Sequence, residues 1–224
     1  MGRVAANRHA EFAQARRDTI LCASLRVFAQ SGFSEATMDE VAAAADMSKA
    51  ALYLYFPSKD ALLHSVLKHF SLLPELPEMI AALEDTPPAI GIPRLIEETW
   101  RRLLERKELA RVIVREIQSN PERAKLFDEQ VGLPAYQLLG DYLDRWMARG
   151  VLRRQHPLAA AQCLFGMIWF FLLTQELTGG KDLYPLSDDT IVTTVSNIFL
   201  DGAANTAKRP ALRTASGRGR RLGP

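Results

Sequence analysis

The sequence predicts an all-α protein, and three observations support this prediction. Apolar residues recur every three or four positions over most of the chain, which is the spacing of one helix face. Prolines and glycines interrupt that pattern at helix-length intervals, and no segment shows the alternation of a half-buried strand. With 224 residues, 48% of them hydrophobic, the chain is long enough for a small domain followed by a larger one.

Residues 33–59 predict two short helices joined by a tight turn. Thr37 and Glu40 have the spacing of a capping box, which starts the first helix. Asp46 suits the turn because it tolerates left-handed backbone, and Ser48 suits the N-cap of the second helix. This is the layout of a helix-turn-helix, whose second helix lies in the DNA major groove. A helical hairpin that merely packs is the alternative.

The second helix is predicted to end in an aromatic run. Pro57 restricts the preceding residue to extended geometry, and Ser58 caps a further helix at Lys59. A lysine in the first turn opposes the helix dipole, which is explained if a phosphate docks at the same helix start. Tyr53 and Tyr55 can offer hydroxyls to neighbouring phosphates, although either tyrosine can instead pack in the core.

These residues are similar to the N-terminal domain of the TetR/AcrR transcriptional regulators. The motif runs from Thr37 through Asp39-Glu-Val-Ala and from Met47 to Leu62, and the similarity extends back over residues 20–33. The resemblance implies a helix-turn-helix DNA-binding domain over 1–70, with a flexible arm at 1–14. It also implies a helical effector-binding and dimerisation domain over 71–204. The segment 205–224 is predicted to be a basic, disordered tail.

At two positions the chain departs from the family pattern. Asp46 replaces the usual glycine of the turn, which the backbone tolerance of Asp allows. Ala50-Ala51 replaces the commoner Gly-Thr and so removes one hydroxyl, although alanine methyls can still touch a thymine methyl. We therefore expect the preferred DNA sequence to change while the binding mode persists.

The predicted DNA contacts centre on Lys49 and Tyr53, with Lys59 as a phosphate clamp. If Lys59 binds a phosphate, Lys59→Ala should weaken binding to all sequences and flatten the salt dependence by about one. The full predicted set is Thr37, Ser48, Lys49, Ala50, Ala51, Tyr53, Tyr55 and Lys59.

Beyond residue 70 the chain is predicted to be helical with breaks. Prolines mark the first turns of four helices, and Gly150 is suited to a helix C-cap. The predicted helices cover 58–72, 76–84, 93–106, 108–119, 121–131, 134–149, 157–177 and 188–204.

Two of these helices suggest a homodimer. The helix over 158–174 is apolar nearly all round, and the last helix carries one apolar stripe. The family resemblance implies that both helices pair with their copies in a four-helix bundle. The dimer then carries two helix-turn-helix domains related by a two-fold axis, which match the two half-sites of a palindromic operator. Burial within one protomer is the alternative. The predicted interface is Phe165, Trp169, Phe170, Leu173, Ile191, Val195, Ile198 and Phe199.

The resemblance also implies a pocket for a small-molecule effector whose binding releases the DNA. A mostly apolar, partly polar molecule is expected, although each lining residue also fits ordinary core packing. The predicted lining is Trp100, Leu104, Ile113, Ile117, Phe127, Tyr136, Leu139 and Trp146, with Arg101, Glu116, Gln118 and Gln137 orienting the ligand. A repressor is preferred to an activator on resemblance alone.

Charge is distributed unevenly along the chain. Residues 1–70 carry eight basic and seven acidic side chains, residues 71–202 carry fourteen and nineteen, and the tail carries six basic side chains and no acid. A nearly neutral head does not bind DNA by bulk charge, so specific contacts must matter. Arg3, Arg8, Arg16 and Arg17 are expected beside the DNA, where an arm can enter the minor groove.

Other classes of protein find less support in the sequence. Cys22 and Cys163 are predicted to be reduced core residues, and the apolar run Cys163–Leu173 is too short to span a bilayer, so a cytoplasmic protein without a membrane partner is expected. No metal-ligand spacing, phosphate loop or nucleophile elbow is recognisable, so no enzyme, metal or cofactor is predicted. A helical ligand-binding scaffold without specific DNA binding is the main alternative.

Overall fold

A computed structural model describes residues 2–203, without the side chains of residues 2–10, 117 and 118. Within that range the chain forms α-helices and no β-strand, which confirms the all-α prediction. The predicted tail at 205–224 lies outside the described residues. The helices are α1 (Gly2–Ser31), α2 (Met38–Ala44), α3 (Lys49–Tyr55), α4 (Lys59–Phe70), α5 (Leu76–Ala81), α6 (Pro88–Glu105), α7 (Lys107–Ser119), α8 (Pro121–Phe127), α9 (Leu133–Ala148), α10 (Pro157–Phe171), α11 (Gly180–Leu183) and α12 (Asp188–Ala203).

Helices α1–α4 form a unit that we call the head. Its core is built from apolar side chains that the short helices turn inward, among them the fully buried Phe28, Val41 and Leu52. Helix α1 packs against both α2 and α4, and α2 packs against α3. The head therefore holds α3 on a closed apolar core.

Helix α7 completes the head core from outside the first 70 residues. Its Leu109, Val112 and Ile113 are buried in the same apolar cluster as the head helices. Helix α7 packs along α1 and also contacts α4. The head is thus joined to the rest of the chain by shared core packing.

Helices α5–α12 form the remainder, which we call the body. Its core is a second apolar cluster, in which α9 packs along α10 and α12 packs along α6. Two segments of the body are π-helical, namely Asp128–Gly132 between α8 and α9, and Leu172–Leu177 after α10. Such turns are frequent at functional sites.

Several predicted boundaries differ from the structure. The segment 1–14, predicted as a flexible arm, is helical from Gly2 onward, because its alanines, arginines and single glutamine favour a helix. Helix α6 begins at Pro88, where a first helical turn accepts proline, so Pro93 lies inside the helix. The helix predicted over 121–131 is α8 followed by a π-helical turn.

The prediction that both cysteines lie in the core is wrong. Cys22 and Cys163 are exposed free thiols. The buried stripe of α1 passes through Ile20, Leu21 and Ala23 and leaves Cys22 on the outer side. Cys163 lies on the side of α10 that the protomer leaves uncovered. Apolar helix spacing alone does not distinguish these sides.

Helix α10 and its π-helical extension form one apolar helix over Pro157–Leu177. At 21 residues it is long and apolar enough to cross a membrane by length and composition, unlike the shorter run considered in the sequence. The core helix of a soluble protein meets the same criterion, and this helix packs against α9 and α12. Its length therefore does not identify a membrane span.

Candidate nucleic-acid interface and ligand cavity

The turn between α2 and α3 has the geometry that the sequence predicts. The Thr37 hydroxyl accepts the backbone N–H of Glu40, and the Glu40 carboxylate accepts the backbone N–H of Thr37 at 2.7 Å, which completes the capping box. Asp46 has a φ of 51°, in the left-handed region. Ser48 caps α3 by accepting the backbone N–H of Ala51. These local features begin α2, form the turn and begin α3.

The outward side of α3 is exposed at the positions predicted to meet DNA. Ser48, Lys49 and Ala50 are exposed, Ala51 is half-buried, and Tyr53 is 44% exposed. The Lys49 ammonium donates to Asp39 of α2 at 2.8 Å, which raises the pKa of Lys49. Because both side chains of that pair are exposed, it holds Lys49 only weakly.

Leu54 is a further exposed residue of α3 that the sequence analysis missed. It is 87% exposed and follows Tyr53 on the outward side. Single exposed leucines are common on protein surfaces, so Leu54 is of interest because it lies beside the predicted contact Tyr53. The sequence could have indicated this exposure. Leu52 marks the inward side of α3, and a helix this short does not bury Leu54 as well.

The two tyrosines of the aromatic run have different environments. Tyr53 is exposed, whereas Tyr55 is half-buried and packs against the head core. Phe56 is buried, and the Arg17 guanidinium lies 4.3 Å from the centre of its ring. The structure thus favours Tyr53 over Tyr55 as an outward contact.

Two of the arginines expected beside the DNA bond to the head itself. Arg16 donates to the backbone carbonyl of Asp46 at 2.8 Å and so fastens α1 to the turn. Arg17 bonds the Tyr55 carbonyl and lies over Phe56. The side chains of Arg3 and Arg8 lie outside the described residues.

Lys59 has an internal role in the structure. Its ammonium donates to the backbone carbonyls of Phe33, Ser34 and Ala36 at 2.8, 3.0 and 2.8 Å. It also lies 4.6 Å from the centre of the Phe33 ring. Because an ammonium has three N–H donors, all of them are used here and none is left for a phosphate. The geometry therefore favours Lys59 as a clamp on the loop between α1 and α2 instead of on DNA.

A cavity of about 220 Å³ lies in the body beside the head. Three predicted residues, Ile113, Phe127 and Tyr136, line it. The side chain of Ile117 lies outside the described residues. The lining is largely apolar and consists of Phe70, Ser71, Leu72, Leu73, Leu103, Arg106, Leu109, Ala110, Ile113, Phe127, Asp128, Val131, Gly132, Ala135, Tyr136, Phe165, Gly166 and Trp169.

The other predicted pocket residues pack elsewhere. Trp100, Leu139 and Trp146 are buried in the body core, and Leu104 packs against its edge. The polar residues expected to orient a ligand also have other roles. Arg101 pairs with Glu98 and Glu105, Glu116 pairs with Arg123, and Gln137 is exposed. The side chain of Gln118 lies outside the described residues.

Arg106 is a cavity residue that the sequence analysis did not single out. It lies between α6 and α7, and one of its nitrogens, Nη2, pairs with Glu75, which also pairs with Arg102. The other terminal nitrogen, Nη1, is shielded from solvent, and no acceptor among the described residues bonds it. Burial lowers the pKa of Arg106. A charge at a helix junction looks like surface in a sequence, so only the packing reveals this residue.

Six of the eight predicted dimer residues are at least partly buried within the protomer. Ile191, Val195 and Phe199 of α12 are buried within the protomer against the body core. Phe165 and Trp169 of α10 line the cavity and stack with a ring separation of 6.1 Å. Leu173 is half-buried.

An uncovered apolar surface remains on α10 and α12. Phe170 is 61% exposed and Ile198 is 60% exposed. A Cβ placed on Gly166 or Gly202 meets no described atom within 4 Å. We call Cys163, Gly166, Phe170, Ile198 and Gly202 the open face.

Comparison with known protein families identifies both parts of the chain. Residues 20–66 match the bacterial regulatory proteins of the tetR family. Residues 104–202 match the C-terminal domain of AefR-like transcriptional repressors.

Individual relatives are similar over limited lengths. The chain is 43% identical over 51 residues to YuxN, an HTH-type transcriptional regulator of Bacillus subtilis strain 168, covering 23% of this chain and 18% of that protein. It is 27% identical over 107 residues to the HTH-type transcriptional repressor NicS of Pseudomonas putida, covering 48% of this chain and 50% of NicS. The match thus spans less than a fifth of YuxN and half of NicS.

Solved structures share the fold over nearly their whole length. The transcriptional regulator FadR from Bacillus subtilis, solved in complex with stearoyl-CoA, superposes with a TM-score of 0.69 at 20% identity. That superposition covers 82% of this chain and 97% of FadR. At this identity the likeness concerns the fold.

Proposed function

Because the chain belongs to the TetR family of bacterial transcriptional regulators, we propose that it is a homodimeric repressor that an effector releases from a palindromic DNA site. The single observation that carries the proposal is the exposed outward side of α3, held on a closed head core. We assign DNA binding to residues 1–70 and effector binding with dimerisation to residues 71–204. The proposal needs no catalytic step, and it places the protein in the cytoplasm with its DNA.

The proposed DNA contacts are side chains that are exposed and are not held by strong bonds within the head. Lys49 and Tyr53 offer a charge and a hydroxyl on the outward side, and Ser48, Ala50 and Ala51 allow close approach to base edges. Thr37 lies at the exposed start of α2, where phosphates can approach the first turn of the helix. Tyr55 is a secondary contact because it is half-buried. Lys59 is left out of this set because its donors are used within the head.

The open face supports a dimer. Two large apolar side chains, Phe170 and Ile198, remain mostly exposed on neighbouring helices. A second copy placed by a two-fold axis buries both on each side, and the small residues Gly166 and Gly202 allow its helices to approach closely. Such a dimer carries two heads, which suits half-sites about one helical turn apart.

The cavity wall is connected to the head through α8. Phe127 and Asp128, at the end of that helix, line the cavity. Arg123, one turn earlier, lies 4.2 Å from the centre of the Phe33 ring and 3.5 Å from Asp60 of α4. An effector that displaces the end of α8 therefore shifts the head, and the spacing of two heads on a dimer then no longer fits the operator.

The comparisons support the direction of regulation. NicS is a transcriptional repressor, and the C-terminal match is to the domain of AefR-like transcriptional repressors. A fold neighbour, FadR, is described in complex with stearoyl-CoA, which shows a ligand on a protein of this fold. We transfer to this chain only the expectation of repression and of a small-molecule effector.

Selection from random duplex DNA at physiological salt tests the proposal. The folded protein should enrich a palindrome, and Tyr53→Ala should reduce affinity for it. Tyr184→Ala is a matched control, because Tyr184 is 53% exposed and lies in the body, outside residues 1–70. A folded dimer that enriches no motif would overturn the proposal and favour a ligand-binding scaffold.

A reporter gene with the selected palindrome across its promoter tests repression. Transcription should fall when the protein is present. A rise would show an activator.

A further inference from the structure

Part of the outward side of α3 is apolar. Leu54 follows Ala50 by four residues, so the two side chains are neighbours on one side of the helix. Ala50 is exposed and Leu54 is 87% exposed, whereas Leu52, about half a turn from each, is fully buried in the head core. The side of α3 that faces away from the head therefore presents one methyl and one isobutyl group.

The polar groups of α3 limit how the helix can distinguish bases. In the major groove, Arg or Lys typically recognises guanine and Asn or Gln recognises adenine, each through a pair of hydrogen bonds. Residues 48–55 contain no Arg, Asn or Gln, and their one cation is Lys49. The Ser48 hydroxyl oxygen already accepts the N–H of Ala51. Few groups of α3 can therefore read bases by hydrogen bonds, which leaves apolar contact as the other kind of direct readout.

The apolar group that a base pair presents in the major groove is the 5-methyl group of thymine. We propose that Leu54 is a specificity-determining residue that packs, with Ala50 beside it, on the 5-methyl group of a thymine in each half-site. This inference rests on the proposed function.

The length of α3 allows this contact. The helix has seven residues and is about 10 Å long, which is less than the roughly 12 Å width of the major groove. Leu54, near the end of α3, therefore reaches base edges as Ala50 does. The contact is favourable because it removes from water a side chain that the head leaves almost fully exposed.

Deoxyuridine in place of thymidine tests the contact, because uracil keeps the hydrogen-bonding groups of thymine and lacks only the 5-methyl group. The palindrome selected from random DNA is prepared with each thymine of either strand replaced in turn, at both symmetric positions. Fluorescence anisotropy at physiological salt measures the affinity.

One of these replacements should weaken binding strongly. Loss of one methyl contact should weaken binding about fourfold, which corresponds to about 0.8 kcal/mol for one buried methyl-sized group. Because a palindrome presents the contact twice, replacement in both half-sites should weaken binding about fifteenfold. A selected palindrome without thymine in its half-sites, or one in which no replacement weakens binding, would overturn the inference.

The Leu54→Ala variant assigns that loss to Leu54. It should bind the thymine palindrome about fifteenfold more weakly and should no longer distinguish thymine from deoxyuridine. Its stability in denaturant should be unchanged, because Leu54 is exposed and alanine favours a helix. Leu183→Ala is the matched control, since Leu183 is 82% exposed and lies in the body, and it should keep both affinities.

An equal deoxyuridine effect in Leu54→Ala and in the unmodified protein would contradict the inference. Such a result would assign the effect to the DNA alone, since a change in the stiffness of the duplex does not depend on residue 54.

A cytosine series tests the methyl group itself. The thymine that deoxyuridine identifies is replaced, with its partner base, by a cytosine pair or by a 5-methylcytosine pair, which differ only in the methyl group. The unmodified protein should bind the 5-methylcytosine palindrome more tightly than the cytosine palindrome, and Leu54→Ala should bind both equally. Equal binding of both by the unmodified protein would count against the methyl contact.

The two proposals fail in different ways. A folded dimer that selects a palindrome but does not distinguish thymine from deoxyuridine retains the proposed function and loses this inference. A folded dimer that selects no palindrome loses the proposed function, and this inference with it.

Discussion

The head and the body differ in how completely each buries its apolar surface. The head closes around Phe28, Val41 and Leu52, which are fully buried, and its short helices are fastened by side-chain caps. The body keeps a cavity and an open face on which Phe170 and Ile198 remain mostly exposed. The head therefore closes its apolar core within one chain, whereas the body leaves apolar surface that the proposed effector and second copy would cover.

Removal of the Phe33 ring gives the largest expected effect, because it opens the closed head. Phe33 is buried, packs edge-to-face on Phe28 and lies between Lys59 and Arg123. Phe33→Ala should lower the free energy of unfolding by about 3–5 kcal/mol. Denaturant unfolding measures it, with the exposed Phe12→Ala as control. Equal effects of the two variants would contradict a closed head core.

Substitutions of two lysines compare a side chain that bonds within the head with one on its outer surface. Lys59→Met removes three bonds to backbone carbonyls and should cost about 1.5–3 kcal/mol of stability with an unchanged salt dependence of DNA binding. Lys49→Met should leave stability nearly unchanged and reduce that salt dependence by about one. A reduced salt dependence in Lys59→Met would restore Lys59 as a phosphate contact.

A charge on the open face tests whether the body is completed by a second copy. Phe170→Arg should weaken self-association at least about tenfold, since central aromatic residues of interfaces typically contribute about 2 kcal/mol or more. Sedimentation velocity over a dilution series measures this. Phe12→Arg adds the same charge elsewhere and should leave association unchanged. Equal association of both variants would exclude the open face from the interface.

A carboxylate of the body that bonds two exposed lysines gives the smallest expected effect. Glu176 bonds Lys181 at 2.6 Å and Lys107 at 2.9 Å, and these bonds lower its pKa below the ordinary 4.5. Because the folded pKa is depressed, the stabilisation is present above pH 4.5 and is lost as the pH falls through the folded pKa. Glu176→Gln should therefore reduce stability at neutral pH by about 1 kcal/mol or less and lose that acid-side dependence.

Thermal unfolding at a series of pH values measures the effect of Glu176→Gln. Glu11→Gln, on the exposed side of α1, controls for the loss of one carboxylate. A steeper acid-side loss in Glu176→Gln than in the unmodified protein would contradict the assigned sign.

The predictions that held were those set by local chemistry. The capping box at Thr37, the N-caps at Ser48 and Ser58 and the left-handed turn at Asp46 each depend on residues within a few positions. Such features form between residues that are neighbours in the sequence, so the sequence alone is enough to predict them. They also identify the helix-turn-helix, which is why the predicted starts of α2 and α3 agree with the structure.

The residues whose surroundings differ from the expected ones depend on packing between distant segments. Trp100 and Ile113 both occupy apolar positions of amphipathic helices, yet Trp100 is buried in the body core, whereas Ile113 packs in the head core and also lines the cavity. Lys59 looked like a phosphate ligand because its three carbonyl partners lie more than twenty residues away. Arg106 was missed because its burial arises from the meeting of α6 with α7.

The contribution of α7 to the head core has a consequence for protein engineering. Leu109, Val112 and Ile113 fill the head from far along the chain, so a fragment cut at residue 70 lacks part of its own interior. A chimera that transplants the reading head onto another regulator must carry α7 or supply matching side chains. Surface changes on α3 leave that interior intact, so new operator preferences are more readily obtained there than by exchanging whole heads.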